Sequence, residues 1–171
     1  MHAELLLLRI IHVVGAIVWV GGGVYVAFFL IPALLPIPSV IPQLMDSLSR
    51  RKVFVILPTI GLLVVLSGVR LLWIDSAGFA ESFLSTASGR TFSIGGTAGI
   101  LAFLIQVFIQ RPAGARLGRI AAVLIGSPSA EERQRLTAEA EKLRRRNGAA
   151  TMAAVIFALI AATAMSIARY M

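Results

Sequence analysis

The sequence predicts an all-α protein, a four-helix transmembrane bundle with a cytoplasmic amphipathic helical insertion between helices 3 and 4. Three observations predict it. The 171 residues are 58% hydrophobic and only 14% charged, against about one-quarter charged in an average soluble domain. The apolar residues fall into four blocks, each long enough to cross a hydrocarbon core of ~30 Å at ~1.5 Å per residue. The basic residues lie mostly in the connections between those blocks. A net charge of +8 placed in that way reflects membrane topology and not nucleic-acid binding. The length suits a single integral membrane domain, 1–171.

The first span is expected over residues 4–31, closed by the proline cluster Pro32, Pro36, Pro38 and Pro42. It is too long for a signal-peptide core, and Met-His-Ala-Glu lacks the basic lead, so it is read as a helix of the mature protein. The second, residues 53–74, is "VFVILPTIGLLVVLSGVRLLWI", with Pro58 in its first turns, where proline is tolerated. The third, residues 92–110, is expected to end at Pro112. The fourth covers residues 149–170. Helices three and four are rich in small residues, Gly95, Gly96 and Gly99, then Ala153, Ala154, Ala158, Ala161 and Ala162. Such residues allow close helix contact, within the chain or with a membrane-protein partner or second copy.

The connections set the orientation. Residues 32–52 end in Arg50, Arg51 and Lys52, and residues 111–148 carry nine basic residues, whereas residues 75–91 carry Arg90 alone. The positive-inside rule then places 32–52 and 111–148 in the cytoplasm of a plasma (inner) membrane protein, with both termini outside. Arg169 at the outer end disagrees mildly. Within the insertion, "RLGRIAAVLIG" reads as an amphipathic helix lying at the interface. "SAEERQRLTAEAEKLRRRNG" reads as a solvated amphipathic helix, with a partner-binding coil as the alternative, capped by Ser129 and Glu132 and stopped at Asn147-Gly148. Its basic end is expected near anionic headgroups.

Several chemistries are excluded. Without cysteine there are no disulfides, thiolate metal sites, iron–sulfur clusters or covalently held c-type haem. No carboxylate lies inside a span away from its ends, so a relay built on Asp or Glu is unsupported. There is no Ser-His-Asp set or paired carboxylates, and "SIGGTAG" lacks the ending of a phosphate loop. What remains is polar residues at membrane depth. One face of the first helix carries Arg9, His12, Gly15, Ala16, Trp19 and Gly23. The second carries Thr59, Leu63, Ser67 and Arg70; the third offers Ser93 and Thr97; the fourth carries Ala158, Ala161, Ala162, Met165 and Arg169. The topology gathers His12, Arg9, Arg70, Thr97, Met165, Ser166 and Arg169 in the outer half. Arg9 and Arg169 are near enough to helix ends to snorkel, Arg70 is in reach of Asp75, and Trp19 reads as packing. His12 lies too deep to snorkel; it either hydrogen-bonds a neighbouring helix or ligates something.

The stretch "HVVGAIVWVGG" resembles the first helix of the copper-resistance D (CopD-like) membrane proteins and of small four-helix families of unknown function. With "LSGVRLLW" and "MSIARYM" the resemblance covers most of the chain. The first helix alone is also similar to that of the HemJ-type protoporphyrinogen oxidases, four-helix membrane haem proteins with a first-helix histidine ligand. His12, Trp19, Gly22 and Tyr25 fall on that family's motif. Its arginine three residues after the tyrosine falls on Phe28, and its third-helix lysine has no counterpart in residues 92–110. The resemblance implies haem b, or less directly copper, at His12. Met165 would be the sixth ligand, with Arg9, Arg70 and Arg169 for the propionates and room beside Gly15, Ala158, Ala161 and Ala162. The other expectation is a non-catalytic accessory or assembly subunit of a larger membrane complex. No substrate or reaction is predicted.

Overall fold

The computed structural model describes residues 2–171 and has six helices among them, with no strand. We number them α1 (His2–Leu34), α2 (Ile41–Arg50), α3 (Val53–Asp75), α4 (Glu81–Leu84), α5 (Ala87–Ile125) and α6 (Ala130–Tyr170). The four long ones are long and apolar enough to cross a membrane. α1 packs on α3 and α5 on α6; the two pairs meet through α3–α5 and α1–α6. The core takes one buried residue from each: Trp19 of α1, Val64 of α3, Ala102 of α5 and Ala158 of α6.

The prolines do not stop the helices where the sequence suggested. α1 runs past Pro32 to Leu34, and α5 runs past Pro112 to Ile125. Proline lacks the N–H for the helix ladder, and its ring strikes the carbonyl four residues back. In both helices a π-helical turn precedes the proline: Val26–Leu30 before Ile31-Pro32, and Gln106–Gln110 before Arg111-Pro112. There the Ile31 N–H bonds Val26 O, and the Arg111 N–H bonds Gln106 O. The wider turn moves the offending carbonyl, and the helix continues.

Asn147-Gly148 is not a stop either. α6 is α-helical without a break over Ala130–Ile167. Its first turn is capped as expected, with the Ser129 hydroxyl accepting the Glu132 N–H at 3.2 Å. At ~1.5 Å per residue this helix is about 57 Å long, so roughly 27 Å extends beyond a ~30 Å hydrocarbon layer. The Arg111–Ile125 part of α5 does not lie apart at an interface. It continues the span and packs Ile120, with Leu117 and Leu124, against Leu136, Ala140 and Leu143 of α6. The insertion is thus an antiparallel two-helix arm growing straight out of α5 and α6. Periodicity identified its apolar stripe, but the stripe meets protein.

The connection 32–52 contains α2, which the proline-rich composition concealed. Ile41, Leu44 and Leu48 form its half-buried face, with Asp46 and Arg50 paired on the exposed side at 2.6 Å. At the other end of the bundle, the short α4 lies so close to α5 that a Cβ on Gly89 would strike the Phe83 carbonyl. The Thr86 hydroxyl caps α5 there by accepting the Gly89 N–H at 3.0 Å.

Candidate functional site

The polar residues of α1 are seated by glycines on α3. A Cβ on Gly68 would lie 2.7 Å from His12 Cε1 and 3.1 Å from Nδ1. One on Gly61 would lie 2.8 Å from Trp19 Nε1. His12 and Trp19 are seven residues apart, as are Gly61 and Gly68, so two rings on one helix drop into two notches on its antiparallel neighbour. Between them the fit reverses: Gly15 of α1 receives Val64 of α3, whose Cγ2 would be 2.7 Å from a Cβ there.

Each ring makes one interhelical hydrogen bond. His12 Nδ1 lies 2.9 Å from the Val64 carbonyl oxygen. A carbonyl can only accept, so Nδ1–H donates, and in the neutral ring Nε2 is the nitrogen with the lone pair. The buried Ser67 hydroxyl is 3.4 Å from the same nitrogen and donates back along its own helix to Leu63 O at 2.6 Å. Trp19 Nε1–H donates to Gln106 Oε1 at 2.8 Å, joining α1 to the first residue of the π turn in α5. Phe103 packs on the same indole in a T-shaped pair, with ring centroids 6.2 Å apart.

The five residues assigned to a cofactor are engaged as follows. His12 is on the α1–α3 seam. Arg70 does not pair with Asp75; its Nε and Nη2 donate to Glu4 Oε1 at 3.1 and 2.8 Å, across the α1–α3 seam. Arg9 and Arg169 are exposed. Met165 packs on α5, its Cε 3.2 Å from where a Cβ on Gly95 would be. Part of the space expected for a macrocycle is taken up in this packing, while Ala162 is exposed. Val64 occupies the Gly15 notch, Ala158 is in the core with Trp19, and Ala161 lies against Gly99.

The expected polar face of α3 is rotated. Thr59 and Leu63 are exposed, and the inward face is Ile60, Gly61, Val64, Ser67 and Gly68. Thr59 can face lipid because its hydroxyl donates to Val55 O, four residues back, at 2.8 Å. Ser93 does the same with Gly89 O, and Thr97 is exposed. Helical projection weighs polarity alone, and a hydroxyl satisfied by its own helix no longer seeks the interior. Gln106 and Gln110 escaped notice because they stood at a supposed helix end. Gln110 Nε2 donates to Ala150 O at 3.4 Å, so both glutamines join helices.

The arm has its own ion pair. Arg116 Nε and Nη2 donate to Glu139 Oε1 and Oε2 at 2.6 and 2.9 Å. The hydrogen bonds from Arg116, helped by its charge and that of Arg135, hold the Glu139 carboxyl below its ordinary value. A depressed carboxylate pKa adds stability above the unfolded value, and that stability is lost as pH falls through the folded one. Glu139→Gln is therefore expected to lower the thermal midpoint at neutral pH. The gap from wild type should close as pH drops below the ordinary carboxylate range. A gap that persists in acid would show that the pair does not act through its charge.

A comparison with known protein families, curated proteins and solved structures finds no match for this chain. Function must be argued from the geometry.

Proposed function

We propose that the protein is a non-catalytic subunit of a larger membrane assembly, and that its α5–α6 arm is the part that meets a partner. One observation carries the reading. His12, Trp19, Gln106, Gln110, Glu4 and Arg70 are used to join helices, while the arm extends about 27 Å past what spanning requires. The arm buries only its inner stripe and leaves Glu131, Glu132, Arg133 and Arg135 exposed. The test is size in mild detergent from native membranes. The wild-type chain is expected in a stoichiometric complex with another protein, and Glu131→Lys/Glu132→Lys is expected to release it without lowering the bundle's thermal midpoint. A wild-type chain that runs alone, or only with copies of itself, would sink this reading.

The same reading sets the arm in the cytoplasm of an inner (plasma) membrane protein, with residues 32–52 on that side and both termini outside. The loop charges support it. In intact cells Ser85→Cys is expected to react with an impermeant thiol reagent and Ala138→Cys to resist it. The reverse labelling would invert the topology.

A second reading, His12 as a ligand to haem b or copper, is favoured by its tautomer. With Nδ1–H held by Val64 O, Nε2 is the basic nitrogen, the arrangement that histidine ligands commonly use. With Val64 in the Gly15 notch, a macrocycle beside His12 would require α1 to part from Val64. A Soret band that shifts on reduction and is lost in His12→Ala supports this reading. Protein that stays colourless after adequate haem supply and hemin reconstitution rejects it.

A further inference from the structure

We infer that the face of the bundle from which the arm emerges is a binding surface for anionic phospholipid, built from Arg51, Lys52, Arg111, Arg144, Arg145 and Arg146. These cations come from the α2–α3 turn, α5 and α6, which the fold brings to one level. Gly61 of α3 and Phe103 of α5 are in contact at the core. From there, eight residues lead along α3 to Val53 and eight along α5 to Arg111, about 12 Å in each case. α6 is fixed at the same height by the bond from Gln110 to Ala150 O, and Arg146 lies one turn beyond it. All six side chains are exposed.

The neighbouring acids leave the patch net positive: among the described residues only Glu141 stands beside it without an ion pair of its own. Asp46 is committed to Arg50 and Glu139 to Arg116. Among the described residues none of the six has a carboxylate within 4 Å. Immediately on the bundle side of the cations the surface turns apolar, with Phe54, Val55, Phe108, Ile109 and Met152 all exposed. A ligand matching both halves is an amphiphile with a phosphate head and acyl chains. Inorganic phosphate would match the cations alone. α2 runs into Arg51 and Lys52 with the amphipathic composition of a helix at headgroup depth. Cations so placed attract an anionic leaflet by a screened Coulomb interaction. The inference rests on the bundle being membrane-embedded and not on the presence of a protein partner.

The test uses the purified full chain in mild detergent with equal amounts of phosphatidylglycerol and phosphatidylcholine of the same acyl length, read by native mass spectrometry. Wild type is expected to retain phosphatidylglycerol several-fold over phosphatidylcholine, with the preference shrinking as salt rises. Arg144→Gln/Arg145→Gln/Arg146→Gln should bring the ratio close to one, and Arg51→Gln/Lys52→Gln should lower it from the α2–α3 turn. Arg133→Gln/Arg135→Gln, at the tip of the arm, should leave it unchanged. Equal retention of the two lipids by wild type overturns the inference. So does an equal loss in the tip variant, or displacement of the lipid by an equimolar amount of inorganic phosphate. Complex size in native membranes is a separate measurement, so failure here leaves the subunit reading standing or falling by itself.

Discussion

Trp19→Ala is expected to destabilise the bundle by about 2–3 kcal/mol, measured as reversible unfolding in mixed micelles. Trp19 is 9% exposed and forms one cluster with the core residues of the other three helices. Its removal empties the Gly61 notch and strips Gln106 of its donor. In a water-soluble core the same truncation costs ~3–5 kcal/mol. Here part of that disappears, because an unpacked side chain meets lipid and not water. Trp19→Phe separates the contributions. It keeps most of the ring volume and loses the hydrogen bond, worth about 0.6–1.7 kcal/mol between membrane helices. If Trp19→Phe cost as much as Trp19→Ala, the bond and not the packing would dominate. If both were neutral, the four-helix junction would be placed wrongly.

Gly68→Ala should cost about 1–3 kcal/mol, the usual range for overpacking a tight contact. The new methyl would lie 2.7 Å from His12 Cε1. The imidazole cannot simply swing away, because its Nδ1–H is tied to Val64 O at 2.9 Å. The decisive measurement is a double-mutant cycle with His12→Ala. Removing the ring makes room for the methyl, so the double variant should be more stable than the sum of the two single losses predicts. Additive effects would mean that His12 does not occupy the Gly68 notch. The cycle also bears on the ligand reading, since a ring so confined can move only with α1.

The spans were legible because lipid imposes a coarse constraint, and α3 begins and ends within a residue of its expected limits. The small-residue contact between α5 and α6 was legible for the same reason. Gly95 lies against Ala164 and Gly99 against Ala161, as close helix approach requires. The breaks were misread. Pro32, Pro112 and Asn147-Gly148 are local stop signals, and local signals are weak prior evidence once a helix is held by a neighbour. Pro112 is bypassed by a π turn whose terminal glutamines bond α1 and α6. Gly148 is passed because α6 is packed on both sides of it, by Leu136 and Ala140 before and Ala150 after. At the candidate site the sequence identified His12 as a residue that must hydrogen-bond or ligate. It could not show that Gly68 on another helix had been left empty for the ring, since that complementarity exists only in the antiparallel register.

The unbroken α6 has a mechanical consequence. From Ala130 at the tip of the arm to Ala158 beside Trp19 there is no proline, π turn or bend, over a length of about 42 Å. Its companion α5 passes through a π turn at Gln106–Gln110, where the arm leaves the bundle. The arm is therefore an unbroken rod braced by a second helix. A sideways load at the tip acts on the rod as a lever that reaches into the bundle. The short end of that lever lies between α1 and α5, at the indole that binds the four helices together.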